Sequence, residues 1–375
     1  MKRKIPILLI FFCLFLFENC VDPYTPDIEG YGNLLIVDGL ITNNKGPYQV
    51  KLARSFAFDE YFQKNVDEAN VKVIDNLSNE YPFEEIANGV YQNIDTSFRG
   101  VIGNAYKLSI ITEDGQEYES EFQELTSPVV IDSIYYQYKP SPDGNTKGIQ
   151  VCINLHDPEN NSWYYGWTYS ETWEFRVPYV KLRSKGAFHV CYKSNTSNEL
   201  IVGTSENNQK DQLKDHPVYY ISYDNNRLRY KYSTLIQQYA ISENIYKCLS
   251  ELKKINETGG SLFDETPSAL RGNVYNISDE KEIVLGVFQV SGVSEKRIFI
   301  EHEDLPEKGY IRNGFEFCER IVVGTNITNT VDSLLDRGMV ILDTLREPFR
   351  VEMVSGPVCY DCRLSGTLEK PGFWE

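Results

Sequence analysis

Trp163-Tyr-Tyr-Gly-Trp-Thr-Tyr-Ser-Glu-Thr-Trp-Glu-Phe-Arg-Val177 is the stretch whose reading decides the fold class. Trp163, Tyr165, Trp167, Tyr169, Trp173 and Phe175 fall on odd positions, and Tyr164, Gly166, Thr168, Ser170, Thr172 and Glu174 on even ones. A period of two belongs to a β-strand, whose successive side chains point to opposite faces. One strand face would therefore carry all six aromatic rings. Strict alternation favours the core of a β-sandwich, where aromatic rings bury large areas. The alternative is an open surface that stacks on sugar rings or grips peptides, so Trp163, Tyr165, Trp167, Tyr169 and Trp173 are candidate ligand residues.

Upstream, the same period recurs in short runs. Residues 34–41 read as a strand bent at Gly39, and residues 48–53 as the next, after the turn Asn43-Asn-Lys-Gly-Pro47. Further runs at 71–75, 81–86, 89–92, 105–111 and 117–122 are separated by turns, including Asp114-Gly115, a strong hairpin signal. About seven short strands at this spacing predict an immunoglobulin-like sandwich over residues 33–126. A second, larger β-rich domain is expected over residues 127–375. In it, runs 132–138 and 148–155 flank the turn Pro140-Ser-Pro-Asp-Gly, and strands resume at 282–290, 297–301 and near Phe315, Val340 and Phe349. Leu235, Ile236, Tyr239, Ile245, Leu249 and Leu252 change the period and predict a helical insertion near 233–257, ended by C-cap chemistry at 256–260. The fold class is thus mainly β: an immunoglobulin-like sandwich followed by a larger β domain with a helical insertion.

The N-terminus predicts export. Lys2, Arg3 and Lys4 precede an apolar run at 5–17, shorter than the roughly 20 residues a membrane helix needs. The run stops at Phe17-Glu-Asn-Cys20, with a cysteine at the cleavage position. This resembles a bacterial lipobox, although Glu18 and Asn19 stand where small residues are usual. The expectation is a signal peptide at 1–19 and a lipid on Cys20, which would tether the chain to a membrane. Residues 20–32, with Pro23, Pro26, Gly30 and Gly32, read as a flexible tether. Loss of Lys2, Arg3, Lys4 and Glu18 takes the net charge from −17 to −19. That field argues against nucleic acid as a partner. The 26 tyrosines against 3 methionines suit pleated, half-buried faces.

Without Cys13 and Cys20, six cysteines remain: Cys152, Cys191, Cys248, Cys318, Cys359 and Cys362. An even number in an exported chain predicts disulfides, with the connectivity open. Cys359 and Cys362 are expected to be oxidised, with each other or with Cys248 and Cys318. Neither a thioredoxin helix nor a second zinc-ligand pair accompanies them.

Phe263-Asp-Glu-Thr-Pro-Ser-Ala-Leu-Arg-Gly-Asn-Val274 follows a helix carrying Tyr246-Lys-Cys248. Gly286 lies inside a predicted strand, and the chain closes on Cys359-x-x-Cys362, Gly366-Thr and Lys370-Pro-Gly-Phe-Trp374. In this order of motifs the chain, from Leu34 to Trp374, resembles a domain-of-unknown-function family of Bacteroidota outer-membrane lipoproteins. These are often encoded beside SusC-like TonB-dependent transporters. The resemblance implies an outer-membrane location and a transporter partner, and it carries over no catalytic residue. The acidic start, Val21-Asp-Pro23 with Asp27 and Glu29, resembles the leader that sends some lipoproteins of that phylum to the cell surface; the alternative is the periplasmic face. Ser133, Ser333 and Thr344, each after an aspartate and before an apolar residue, match the short acceptor for O-glycosylation in the same phylum.

Catalytic patterns are missing. Neither Gly-x-Ser-x-Gly, His-Glu-x-x-His nor a phosphate loop occurs. His156, His189, His216 and His302 are scattered and read as surface or packing residues. Asp157-Pro-Glu-Asn-Asn could offer oxygens to calcium, but its spacing fits a solvated turn better. No cofactor and no metal is expected. The sequence therefore points to a non-enzymatic accessory lipoprotein that binds a transporter, its cargo or both. The alternatives are a surface hydrolase acting on glycans or peptides and a purely structural envelope component.

Overall fold

The computed structural model describes residues 33–55, 64–181, 188–258, 272–324 and 326–374. The expected signal, Cys20 and the tether lie outside the described residues, as do residues 259–271, which include most of the Phe263 motif. The described chain is mainly β, with two α-helices, Glu243–Thr258 and Ile327–Asp336. Neither is long and apolar enough to cross a membrane.

The N-terminal unit is built on the alternation seen in the sequence. Leu35, Val37 and Ile41 of strand Leu35–Thr42, Val71 and Val73 of Asn70–Asp75, and Tyr106, Leu108 and Ile110 of Ala105–Ile111 are buried. One sheet path runs through Val274–Asn276, Glu117–Ser120, Ala105–Ile111, Asn70–Asp75, Glu80–Ala87, Val90–Asn93, Gln49–Arg54, Leu35–Thr42 and Leu285–Ser291. The path rolls until its ends meet. The side chain of Asn273 donates to the Phe288 carbonyl at 2.6 Å and accepts the Phe288 N–H at 2.9 Å. The result is a sandwich-like shell filled by one apolar cluster.

Here the expected domain division at 126/127 is corrected. Two strands of the first shell come from residues 274–291, and Val274, Val284, Phe288 and Val290 belong to its core. Leu285–Ser291 pairs parallel with Leu35–Thr42, from Ile36 opposite Leu285 to Thr42 opposite Ser291. A parallel partner arrives by a long crossover, and here the second unit is that crossover. Local patterning therefore could not place it.

The second unit packs two sheets face to face. One holds Ile131–Pro140, Lys147–His156 and Gln212–Ser222; the other holds Val190–Thr196, Tyr164–Arg176, Lys231–Ala240 and Val293–Glu301, with Ile201–Thr204 beside Tyr164–Arg176. Tyr169 of one sheet stacks on Tyr219 of the other with centroids 3.7 Å apart. The expected helix over 233–242 is also corrected: residues 231–240 form a strand, paired on both edges, and the helix begins only at Glu243. That helix packs Ile245, with half-buried Tyr246 and Leu249, against Tyr239, Ile241 and Val293 at the junction of the two units.

Beyond Glu301 the chain makes a small sheet, Arg320–Val323, Phe349–Val354 and Val340–Arg346. Helix Ile327–Asp336 covers it through Val331 and Leu334, which meet Val323, Val351 and Met353. Phe315, expected in a strand, lies in a turn and is buried. Two disulfides fasten this region, Cys191–Cys362 and Cys318–Cys359, each with Cα atoms 5.7 Å apart. Cys359 and Cys362 thus do not pair with each other, because they sit in successive 3₁₀ turns that reach different elements. Cys152 and Cys248, also disulfide candidates, are buried free thiols.

Candidate functional site

The aromatic face of Tyr164–Arg176 is interior. Tyr165, Trp167, Tyr169 and Trp173 are all buried, and only Trp163, before the strand, is half-exposed. The candidate ligand surface is therefore corrected to core, which is what a face opposed by a second sheet must become. The same face also carries a charge into the interior. Glu171 is 1% exposed and takes both contacts of the Arg227 guanidinium, at 2.8 and 3.0 Å, plus the Tyr232 hydroxyl at 2.8 Å. Burial pushes the Tyr232 phenol well up, so it stays a donor. Such a buried charge persists only when paired and fully hydrogen-bonded.

A second buried carboxylate, Asp211, accepts the Tyr165 hydroxyl at 2.7 Å and that of Ser205. Burial raises its pKa, against the lowering effect of those two hydroxyls. Asp157, the start of the suggested calcium turn, instead accepts the backbone N–H groups of Glu159, Asn161 and Ser162 at 3.1, 2.8 and 3.1 Å. Its oxygens are spent on the turn. Among the described residues no three His, Cys, Asp or Glu side chains are placed to hold a metal.

The histidines fall in four settings. His216 lies over Trp167, with ring centroids 4.6 Å apart, and burial, aided by Lys253, lowers its pKa to about 4. His302 Nδ1 lies 3.1 Å from the Leu228 carbonyl. Nδ1 of His189 is buried with no hydrogen-bond partner among the described residues. His156 is the exposed one, and it faces a cleft.

That cleft, of about 630 Å³, opens where the first unit hands over to the second. The connecting residues 124–130 form its floor, the loop at Ile102 and Gly103 one wall, and the turn 156–162 the other. A β-bulge in Ile131–Pro140 makes the geometry. Ile131 pairs with Leu155 and Ser133 with Asn154, so Asp132 is the extra residue between them. Bulges re-aim side chains, and here both Asp132 carboxylate oxygens reach His156 Nδ1, at 2.7 and 2.9 Å. The carboxylate fixes the ring and leaves Nε2 as the imidazole's outward group. Beside this polar pair stand Val130, 69% exposed, and Ile102, 49% exposed. Apolar side chains exposed next to an oriented polar pair at a domain junction are what a binding cleft needs. Sequence reading did not bring Asp132 and His156 together, since a bulge leaves no mark in a pattern of two.

Of the three glycosylation candidates, Ser333 is exposed on helix Ile327–Asp336, Thr344 is half-buried in a strand, and Ser133 is half-buried and accepts from Asn154 at 3.0 Å. The structure does not gather them.

No curated protein matches the sequence. A family model described as a domain of unknown function, DUF4249, matches residues 21–297, which takes in the first shell, the cleft and the second sandwich up to Arg297 but not the small C-terminal sheet. On that match, over most of its length, the chain belongs to the DUF4249 family of domains of unknown function.

Proposed function

We propose that this chain is a non-enzymatic, lipid-anchored protein of the outer membrane that binds a partner or cargo through the inter-unit cleft, as an accessory to a TonB-dependent transporter. The observation that carries the binding role is the cleft itself: exposed Val130 and Ile102 beside the oriented His156–Asp132 pair. The anchor and the outer-membrane setting rest on the basic start, the short apolar run and Cys20. The acidic leader favours the cell-surface face. The buried carboxylates Glu171 and Asp211 support a binding protein in a different way. Both are engaged in hydrogen bonds inside the core, out of reach of a substrate.

The hydrolase alternative has one observation in its favour, since an imidazole oriented by a carboxylate is also the arrangement of a general base. Purification from detergent-solubilised outer membranes of the native host tests the proposal. A TonB-dependent channel is expected to copurify with the wild-type chain and to be depleted at least tenfold by Val130→Asp with Ile102→Asp. Recovery of the protein alone would overturn the transporter role. Turnover of a glycan or peptide that is lost in His156→Ala would replace binding with catalysis.

A further inference from the structure

Toward the other end of strand Ile131–Pro140 from the bulge, two tyrosines are exposed side by side. Tyr310 is 61% exposed and Tyr138 is 36% exposed. They are joined through charged groups. The Glu307 carboxylate accepts the Tyr138 hydroxyl at 2.7 Å and the Lys147 ammonium at 2.5 Å. That same ammonium sits 3.5 Å from the centre of the Tyr310 ring. Lys147 is placed by the hairpin, where it pairs with Pro140 two residues beyond Tyr138.

The loop that carries Glu307 and Tyr310 is pinned from beneath. Buried Tyr223 donates its hydroxyl to the Pro306 carbonyl at 2.9 Å, and its own carbonyl accepts the Arg312 N–H at 3.0 Å. The Tyr138 ring in turn rests 6.1 Å from the Tyr223 ring. Two exposed rings are therefore held at fixed positions. Pre-ordered side chains lose little entropy on binding.

We propose that Tyr138 and Tyr310, with Lys147 and Glu307 between them, form a platform for an uncharged pyranose ring of a glycan chain. A pyranose offers an apolar C–H face to a phenol ring, and aromatic side chains supply area with a polar edge. Its hydroxyls both donate and accept, which matches a carboxylate and an ammonium side by side. The Lys147–Glu307 pair sums to no net charge. The chain's charge of −17 repels acidic polymers. Both facts select neutral sugars over anionic ones.

The platform is separate from the cleft, so its failure would leave the cleft reading standing. Native electrophoresis of the mature chain in detergent, through gels containing amylopectin, galactomannan or xyloglucan, tests it. Retardation is expected in at least one of these gels relative to a gel without polysaccharide. Tyr310→Ala and Tyr138→Ala should each reduce that retardation at least fivefold. Tyr310→Phe, which keeps the ring, should retain most of it, and the exposure of Tyr310 makes misfolding no explanation for a loss. Mobility unchanged in all three gels would overturn the platform. So would retardation that survives both alanine variants, or capture of peptides without any polysaccharide.

Discussion

His216 shows how a single side chain turns packing into pH dependence. It lies over Trp167, and Gly203 sits so close that a Cβ there would fall 2.6 Å from the imidazole. The pKa of about 4 in the fold stands below the ordinary 6.5, so the fold prefers the neutral ring. A depressed histidine contributes stability above its unfolded value, and that contribution is lost as the pH falls from 6.5 toward 4. The slope cannot exceed about 1.4 kcal/mol per pH unit for one proton. Urea denaturation across this window should show stability falling with acid in the wild type and a shallower fall in His216→Gln. Parallel curves would show that His216 is not the group responsible.

At the scale of elements, Leu285–Ser291 is the strand on which the architecture turns. It closes the first shell after the chain has made almost all of the second sandwich. Gly286 makes this pairing fit. Its φ is +82°, and a Cβ would stand 2.0 Å from the Val37 carbonyl oxygen in the strand beside it. Gly286→Ala should therefore cost more than the roughly 1–3 kcal/mol of left-handed strain alone. Gly103→Ala is the control, since Gly103 has φ +87° with nothing among the described residues within 4 Å of its missing Cβ. Equal losses in the two variants, measured by urea denaturation, would mean that the parallel seam contributes little.

The same strands show what could be read in advance. Those of the first shell alternate cleanly because one face is core and the other water, as in Asn70–Asp75. Lys231–Ala240 does not alternate. Tyr232, Ser233, Thr234, Ile236, Gln238, Tyr239 and Ala240 are all buried, because the strand is central and covered on both faces. Its apolar residues then happen to fall at helical spacing, and tertiary context overrides the pattern. The rings of residues 163–175 announced a strand correctly, while the bulge at Asp132, the partners of Cys359 and Cys362, and the Tyr138–Tyr310 pairing depend on contacts made across distant parts of the chain.

For the whole molecule, the arrangement is a closed shell entered from the N-terminus, a second sandwich inserted before the shell is complete, and a disulfide-fastened C-terminal sheet. The cleft lies at the handover between the first two units, and the family match spans both. In the account proposed above, Cys20 ties the chain to the membrane and the cleft faces its partner. A photo-crosslinking amino acid at Val130, in intact cells of the native host, tests that account most directly. Phe349, 52% exposed on the small C-terminal sheet, is the control position. A discrete adduct from Val130, identified by mass spectrometry as a TonB-dependent channel, is expected, and none from Phe349. No adduct at Val130, or the same adduct from both positions, would contradict it.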